Sequence, residues 1–371
     1  GRVDAGFTGM MNFGVTSIGT LQGAFHRFTL STSGRQMNRF QLVDRFNLPM
    51  FTGATMKNKV LLLIVLALGC AHPAFAQPRK VRFSVSAASI AELPFRMAQL
   101  KGFYRDEGLD VEMIFIRGAV GMQALLGGSV DFTSASGSTI AAAVRGIPVK
   151  LVFTASAKPQ FDMVAQKDIR SIAELKGKYV GISSRGGAID LLTQLMVQKH
   201  GLTPNRDVTS LVIGGQEDTV LALRAGRIAA ALLTPPRPLI LQREGFNRIG
   251  YSGDYMPTYP SGGIGVTDEV IKNKPAELFA FVKASVRGLQ FARQNRAEAK
   301  KIVADYFAIK DPALADQFFE LYLNRLPVNG SADEAWMKGA IEFTQKSLND
   351  MGKEVPISQV FDFSFVNKAV R

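Results

Sequence analysis

Along most of the chain, short apolar runs of period two alternate with segments whose apolar positions recur every three to four residues. Val81 to Val85 alternates like a strand, and Ser86 to Ser89 is a loop of small residues. Leu93 to Leu100 carries a helical stripe that stops at Gly102, and Asp110 to Ile116 is the next strand. Strand, loop, helix and strand in that order predict a parallel sheet with helices on both faces.

The same order returns about a hundred residues later. Tyr179 to Ile182 reads as a strand, Ser183 to Gly187 as a loop, Ile189 to His200 as a helix stopped at Gly201, and Leu211 to Ile213 as a strand. Ser86 to Gly102 is 16 residues and Ser183 to Gly201 is 18, so the register is kept. Each half continues with a helix, a glycine and a further strand: MQALLGGSVDFTSAS from Met122 to Ser136, and VLALRAGRIAAALLTPP from Val220 to Pro236. Such units are common to α/β proteins, and it is the preserved spacing that argues for two lobes on one plan. Between the halves, Lys150 to Gln166 reads as strand, turn and strand. After the second half, Tyr255 to Gly265 is rich in Pro, Gly and Ser; these two stretches are the expected crossings between lobes.

From Asp268 to about Met351 the pattern is one of amphipathic helices. Pro275, the pair Asp311-Pro312 and a Ser331-x-x-Glu334 capping box are the expected starts. The stripe Leu278, Phe279, Val282 and Val286, and Trp336 further on, are expected in the core.

Composition changes this picture mainly at the N-terminal end. With 371 residues and 47% apolar content there is material for two domains, but residues 1–55 keep no period and are expected to be a disordered or non-native leader. Residues 56–76 read as a secretory signal peptide. Met56 is followed by Lys57 and Lys59, then by an apolar run from Val60 to Leu68, and Ala74-Phe75-Ala76 precedes Gln77. That run is far short of the roughly 20 residues of a spanning helix, so export as a soluble periplasmic protein is expected. An alternative is lipid anchoring through Cys70, although Ala67 stands where such signals usually carry Leu. Cys70 is the single cysteine, which leaves the folded part without disulfides, thiolate zinc ligands or a cysteine nucleophile.

The formal charge is +13. Of this, +3 comes from five Arg and two Asp in the leader and +2 from the signal, leaving +8 on the remainder, a balance that suits anionic solutes. No Lys/Arg cluster interleaved with aromatics points to nucleic acid.

Enzymatic chemistry finds little to use. Beyond residue 76 the one histidine is His200, at a helix end where a cation suits the dipole, and no HExxH, P-loop or cysteine cluster is present. Neither a metal nor a cofactor is implied. What remains are four small-residue loops at strand ends: Ser86 to Ser89, Thr133 to Thr139, Ser183 to Gly187, and Leu233 to Arg237. In open parallel sheets ligands bind beyond the carboxyl ends of the strands. Gly186 and Gly187 allow close backbone approach, the following helix offers free N–H groups, and Ser183, Ser184 and Arg185 add hydroxyls and a guanidinium fork. The competing reading is a tight turn with Ser184 as helix cap and Arg185 in solvent. Ser134, Ser136 and Ser138 line a similar loop, where small residues could equally serve helix packing. Glu92 is anomalous, since a carboxylate beside the first loop repels an anion unless a cationic group of the ligand pairs with it.

These residues resemble a family: the periplasmic solute-binding proteins of nitrate/sulfonate/taurine-type ABC importers, SsuA-like proteins and their relatives that bind the thiamine pyrimidine precursor. The likeness is carried by MAQLKGFYRDEGLDVEM, LLGGSVDF, RGIPVKLV, SIAELKGKYVGIS, HGLTP and LRAGRIAAALLTPP, with a weaker echo in VFDFSFVNKA. The resemblance implies a type II periplasmic-binding fold, α/β with two Rossmann-like lobes around a central cleft. Lobe 1 would comprise 77–167 and 258–371, and lobe 2 would comprise 168–257. It implies a non-enzymatic monomer that closes on a small solute and delivers it to a membrane permease and ATPase. The family's ligand loops map to Ser86 and Ser89, Ser134 and Ser136, Ser184, Arg185, Gly186 and Gly187, and Thr234. The first loop, SAASIAEL, is unusually small for the family. Relatives of the fold also include a pyrimidine synthase and a desulfinase, so an enzyme is one alternative and a solute-sensing domain another.

Overall fold

The computed structural model describes residues 77–371 apart from 87–88, 117, 157, 186–187, 257–260 and 349. The expected leader, signal peptide and Cys70 lie outside the described residues. Ten strands occur among those described: β1 (Arg79–Val85), β2 (Leu109–Phe115), β3 (Phe132–Thr133), β4 (Val149–Thr154), β5 (Asp162–Ala165), β6 (Lys178–Ile182), β7 (Val208–Val212), β8 (Ala230–Leu233), β9 (Asn247–Tyr251) and β10 (Gly263–Thr267). They form two five-stranded sheets, ordered β2-β1-β3-β10-β4 and β7-β6-β8-β5-β9.

The sequence repeat is thus a structural one. In each sheet the second strand pairs in parallel with both its neighbours, β1 with β2 and β3, and β6 with β7 and β8. In each sheet the fourth strand is antiparallel to both its neighbours, β10 in the first and β5 in the second. Each antiparallel strand follows a crossing of the chain from one lobe to the other.

This topology corrects the expected change of lobe at 167/168. All four residues of β5 are buried, and they pair with β8 and β9, so β5 is a strand of the second sheet. The first crossing is therefore Ala155–Phe161, between β4 and β5, and the return runs from Ser252 to Gly262.

The first lobe is built around the helix Pro275–Gln294, whose predicted stripe buries Leu278, Val282 and Val286, with Phe279 half-buried. Phe281 on this helix lies against three aromatic rings: Phe83 at 5.1 Å, Phe132 at 4.6 Å and Tyr104 at 4.9 Å. Gly288 admits the helix Leu93–Leu100 so closely that a Cβ there would stand 2.1 Å from the Pro94 carbonyl oxygen. Trp336 is buried against Phe361, as expected of a core residue.

Helix starts follow the sequence in part. Asp311 caps Pro312–Arg325 by accepting the Leu314 N–H. The expected Ser331 capping box is corrected: the helix Glu334–Ser347 is capped by Asp333, whose carboxylate accepts the Trp336 N–H at 2.7 Å, while the Ser331 hydroxyl donates to Asn329. A carboxylate at the N-cap answers the helix dipole as well as the free N–H. Asp333→Ala is expected to cost about 1 kcal/mol, against a few tenths for Ser331→Ala. Urea unfolding of the two variants measures this, and equal losses would restore the capping box.

Candidate functional site

The site grows from the carboxyl ends of β1 and β3, adjacent because both strands run parallel. Ser84 and Thr133 are joined by their hydroxyls at 2.8 Å, and the Ser134 N–H donates to the Ser84 carbonyl. One residue beyond, the Ser134 hydroxyl donates to Glu92 Oε1 at 2.7 Å. Its oxygen receives the Ser86 N–H at 3.0 Å and lies 3.2 Å from the Ser86 hydroxyl. With the Ser134 proton committed to Glu92, the Ser86 hydroxyl is the donor between the two serines. Predicted residues Ser86 and Ser134 are thus brought together directly, with Glu92 as third member.

Ser89, nearly buried, is the extended residue that opens the short turn Ile90–Glu92, and its carbonyl accepts the Glu92 N–H. Ser136 is buried at the start of the helix Ser136–Val144, which begins inside the stretch read as a loop. Glu92 is only 4% exposed, and burial pushes its carboxyl up to about 7, against the opposing hydrogen bonds of Ser134 and Ser86. That turn rests on the return crossing. Gly262 has φ +73°, and a Cβ there would stand 2.7 Å from the Ala91 Cβ.

The second lobe presents the ends of β6 and β8. Thr234, just past β8, donates its N–H to Gln216 Oε1 at 2.9 Å, and its hydroxyl accepts from Arg237 Nη1 at 3.1 Å. Arg237 is held by Glu217, which accepts from Nε and Nη2 at 3.0 and 2.6 Å. Sequence reading missed Gln216 and Arg237; the only hint was that Arg237 closes a loop placed at a strand end.

Past β6, Ser184 is exposed, while Gly186 and Gly187 lie outside the described residues. The guanidinium of Arg185 turns away from the expected anion fork. It donates to Asn205 Oδ1 at 2.9 Å and to the Ser210 carbonyl at 2.8 Å, covering a backbone acceptor of β7, an edge strand. His200 follows directly on the helix Ala188–Lys199, and its Nε2 lies 2.7 Å from the Tyr255 hydroxyl at the start of the return crossing.

The guanidinium of Arg96 lies 5.8 Å from the ring centre of Tyr306. Burial raises the Tyr306 hydroxyl's pKa, the Glu92 carboxylate raises it further, and Arg96 of the first lobe and Arg237 of the second oppose the shift. Leu239, on the helix Arg237–Arg243, packs against a first-lobe cluster that includes Ile90, Leu93, Met97 and Phe318. Arg243 pairs with Asp311, linking the lobes at the exposed rim. The arrangement offers hydroxyls, one carboxyl and two guanidiniums around an interlobe position. It contains no cluster of metal ligands among the described residues, and no described helix is long and apolar enough to cross a membrane.

Comparisons with known proteins agree with this architecture. A protein of Brucella abortus (strain 2308) that carries a provisional binding-protein name is 25% identical over 218 residues, 57% of this chain and 67% of its own. A structure from Bordetella bronchiseptica RB50 superposes with a TM-score of 0.68 at 24% identity, covering 79% of this chain and 97% of that one. The alkanesulfonate-binding protein SsuA of Xanthomonas axonopodis pv. citri, bound to MOPS, superposes with a TM-score of 0.64 at 18% identity over 77% and 99%. The fold is therefore the expected type II periplasmic-binding fold. The NMT1/THI5-like family matches residues 91–299, more than half of the chain, and it is to this family that the chain belongs.

Proposed function

We propose that this chain is the extracytoplasmic solute-binding subunit of an ABC importer, capturing a small anionic solute of the sulfonate, nitrate or carboxylate class between its lobes. The observation that carries the reading is the contact of the two lobes beside the strand-end loops, where Leu239 of the second lobe packs against the first-lobe cluster that includes Ile90, Leu93 and Met97, next to Glu92 and Arg96. Polar strand-end loops of both sheets lie beside this contact, where we place the bridging ligand. Family membership and the SsuA likeness support the same reading. Closure would bend the two crossings and present both lobes to a permease and its ATPase. Export through the signal peptide, or anchoring through Cys70, belongs to the same proposal.

Ser86, Ser134 and Thr234 are the proposed direct contacts, with Ser89, Ser136 and Ser184 as further candidates. A matched solute at 100 times its dissociation constant should stabilise the protein by about 2.7 kcal/mol. It should also be recovered chemically unchanged at one molecule per monomer. A thermal-shift screen of small anions and amines, followed by mass spectrometry of the solute, measures both. Absence of any stabilising solute would remove the transport reading, and a converted solute would favour an enzyme on this scaffold.

A further inference from the structure

Glu92 holds a buried acceptor that the lobe itself does not use. Oε1 takes the Ser134 hydroxyl, but among the described residues Oε2 has no hydrogen-bond partner. One helical turn on, Arg96 Nε is also buried without a partner, while Nη1 donates to Gln99 at 2.7 Å. A carboxylate and a guanidinium four residues apart ordinarily meet on a helix. Among the described residues these two form no ion pair, and each keeps a polar atom unused. Ser261 Oγ, on the return crossing beside the Gly262 that touches Ala91, is a third such atom. Buried polar atoms left without partners are rare in folded proteins and call for a specific explanation.

Resting on the reading of the chain as a solute-binding subunit, we infer that Glu92 is a specificity-determining residue. Its Oε2 receives an N–H of the captured solute, which is therefore an amino-bearing anion rather than a simple oxyanion. Arg96 and Arg237 serve the acidic end, and Glu92 the amino end. A plain oxyanion against Oε2 would set two acceptors together in a poorly solvated place, whereas an ammonium supplies the counter-charge that burial withholds. The serine pair fixes the carboxyl for this contact, because Ser134 holds Oε1 and is itself held by Ser86, which leaves Oε2 open.

Glu92→Gln separates this role from its opposite. The amide keeps a donor for an anion but loses the negative charge that an amine requires. Calorimetry at pH 8 would compare ethanesulfonate with 2-aminoethanesulfonate and propionate with 3-aminopropionate. Any further solute returned by the screen would be set against its analogue lacking the amino group. The amino member of a pair should bind at least about tenfold more tightly, and Glu92→Gln should weaken it by about 30-fold or more with the unliganded melting temperature kept. Should Glu92→Gln fail to fold, Ser134→Ala, which frees the carboxyl to turn, carries the same comparison with a loss of about tenfold. Equal binding of both members, or undiminished binding by the variant, overturns the role of Glu92 and leaves solute capture standing. If neither the pairs nor the wider screen yields a binder, solute capture fails and this inference fails with it.

Discussion

Asp162→Ala is expected to destabilise the protein by about 3–5 kcal/mol, the loss typical when one partner of a buried ion pair is removed. Asp162, the first residue of β5, is 3% exposed at its side chain and accepts from Arg325, itself 7% exposed, at 3.3 and 3.4 Å. Arg325 ends the helix Pro312–Arg325 of the first lobe, so the pair spans the first crossing. With the carboxylate gone, the guanidinium keeps, among the described residues, the Gln160 carbonyl at 3.3 Å and the face of Tyr251 at 4.6 Å. Arg248, half in solvent and 2.8 Å from the same carboxylate, can hydrate instead. Replacing Arg325 with Met in the same chain should recover a large part of the loss, because no stranded charge remains. Denaturant unfolding of the two single variants and the double variant tests this, and strictly additive losses would show that the pair is not a unit.

Phe281→Ala is expected to cost about 3–5 kcal/mol, and Phe281→Leu about 1 kcal/mol. The ring is fully buried, and its three aromatic neighbours come from β1, β3 and the short helix Phe103–Asp106. The helix is tied at the same level by Ser285, whose hydroxyl donates to the Phe281 carbonyl and accepts from Tyr104 at 3.1 Å. A truncated ring leaves a hole that three separate elements would have to close together. Near-ultraviolet circular dichroism should weaken along with the melting temperature. A loss below 1 kcal/mol would mean that the cluster repacks freely.

The sheets were legible in the sequence because burial imposes period two on strands and helical period on their covers, and because both lobes repeat that pattern in register. Strand ends were off by one to three residues, most at β7, which starts at Val208 rather than Leu211. The change of lobe was not legible, since DMVA reads as a buried strand in either sheet, and only pairing with β8 and β9 decides. At the candidate site, Ser86 and Ser134 stood out as small polar residues at strand ends, and the parallel pairing of β1 with β3 is what brings them together. Arg185 misled because a guanidinium beside a glycine loop has the composition of an anion fork, while its direction depends on Asn205 and β7 some 20 residues on. Tyr306 and Arg96 gave no local signal, as they enter the site only through packing of distant helices.

The placement of the two antiparallel strands also sets an order of assembly. The second sheet draws all its strands from one continuous stretch, Asp162 to Tyr251, and can close as soon as that stretch has been synthesised. The first sheet lacks the strand between β3 and β4 until Gly263–Thr267 follows, and its helix Pro275–Gln294 comes later still. During synthesis the middle of the chain is therefore complete while its own flanks wait, β1 to β4 standing as an unfinished sheet with Phe83 and Phe132 uncovered. That interval is when this protein is most exposed to aggregation and to chaperones.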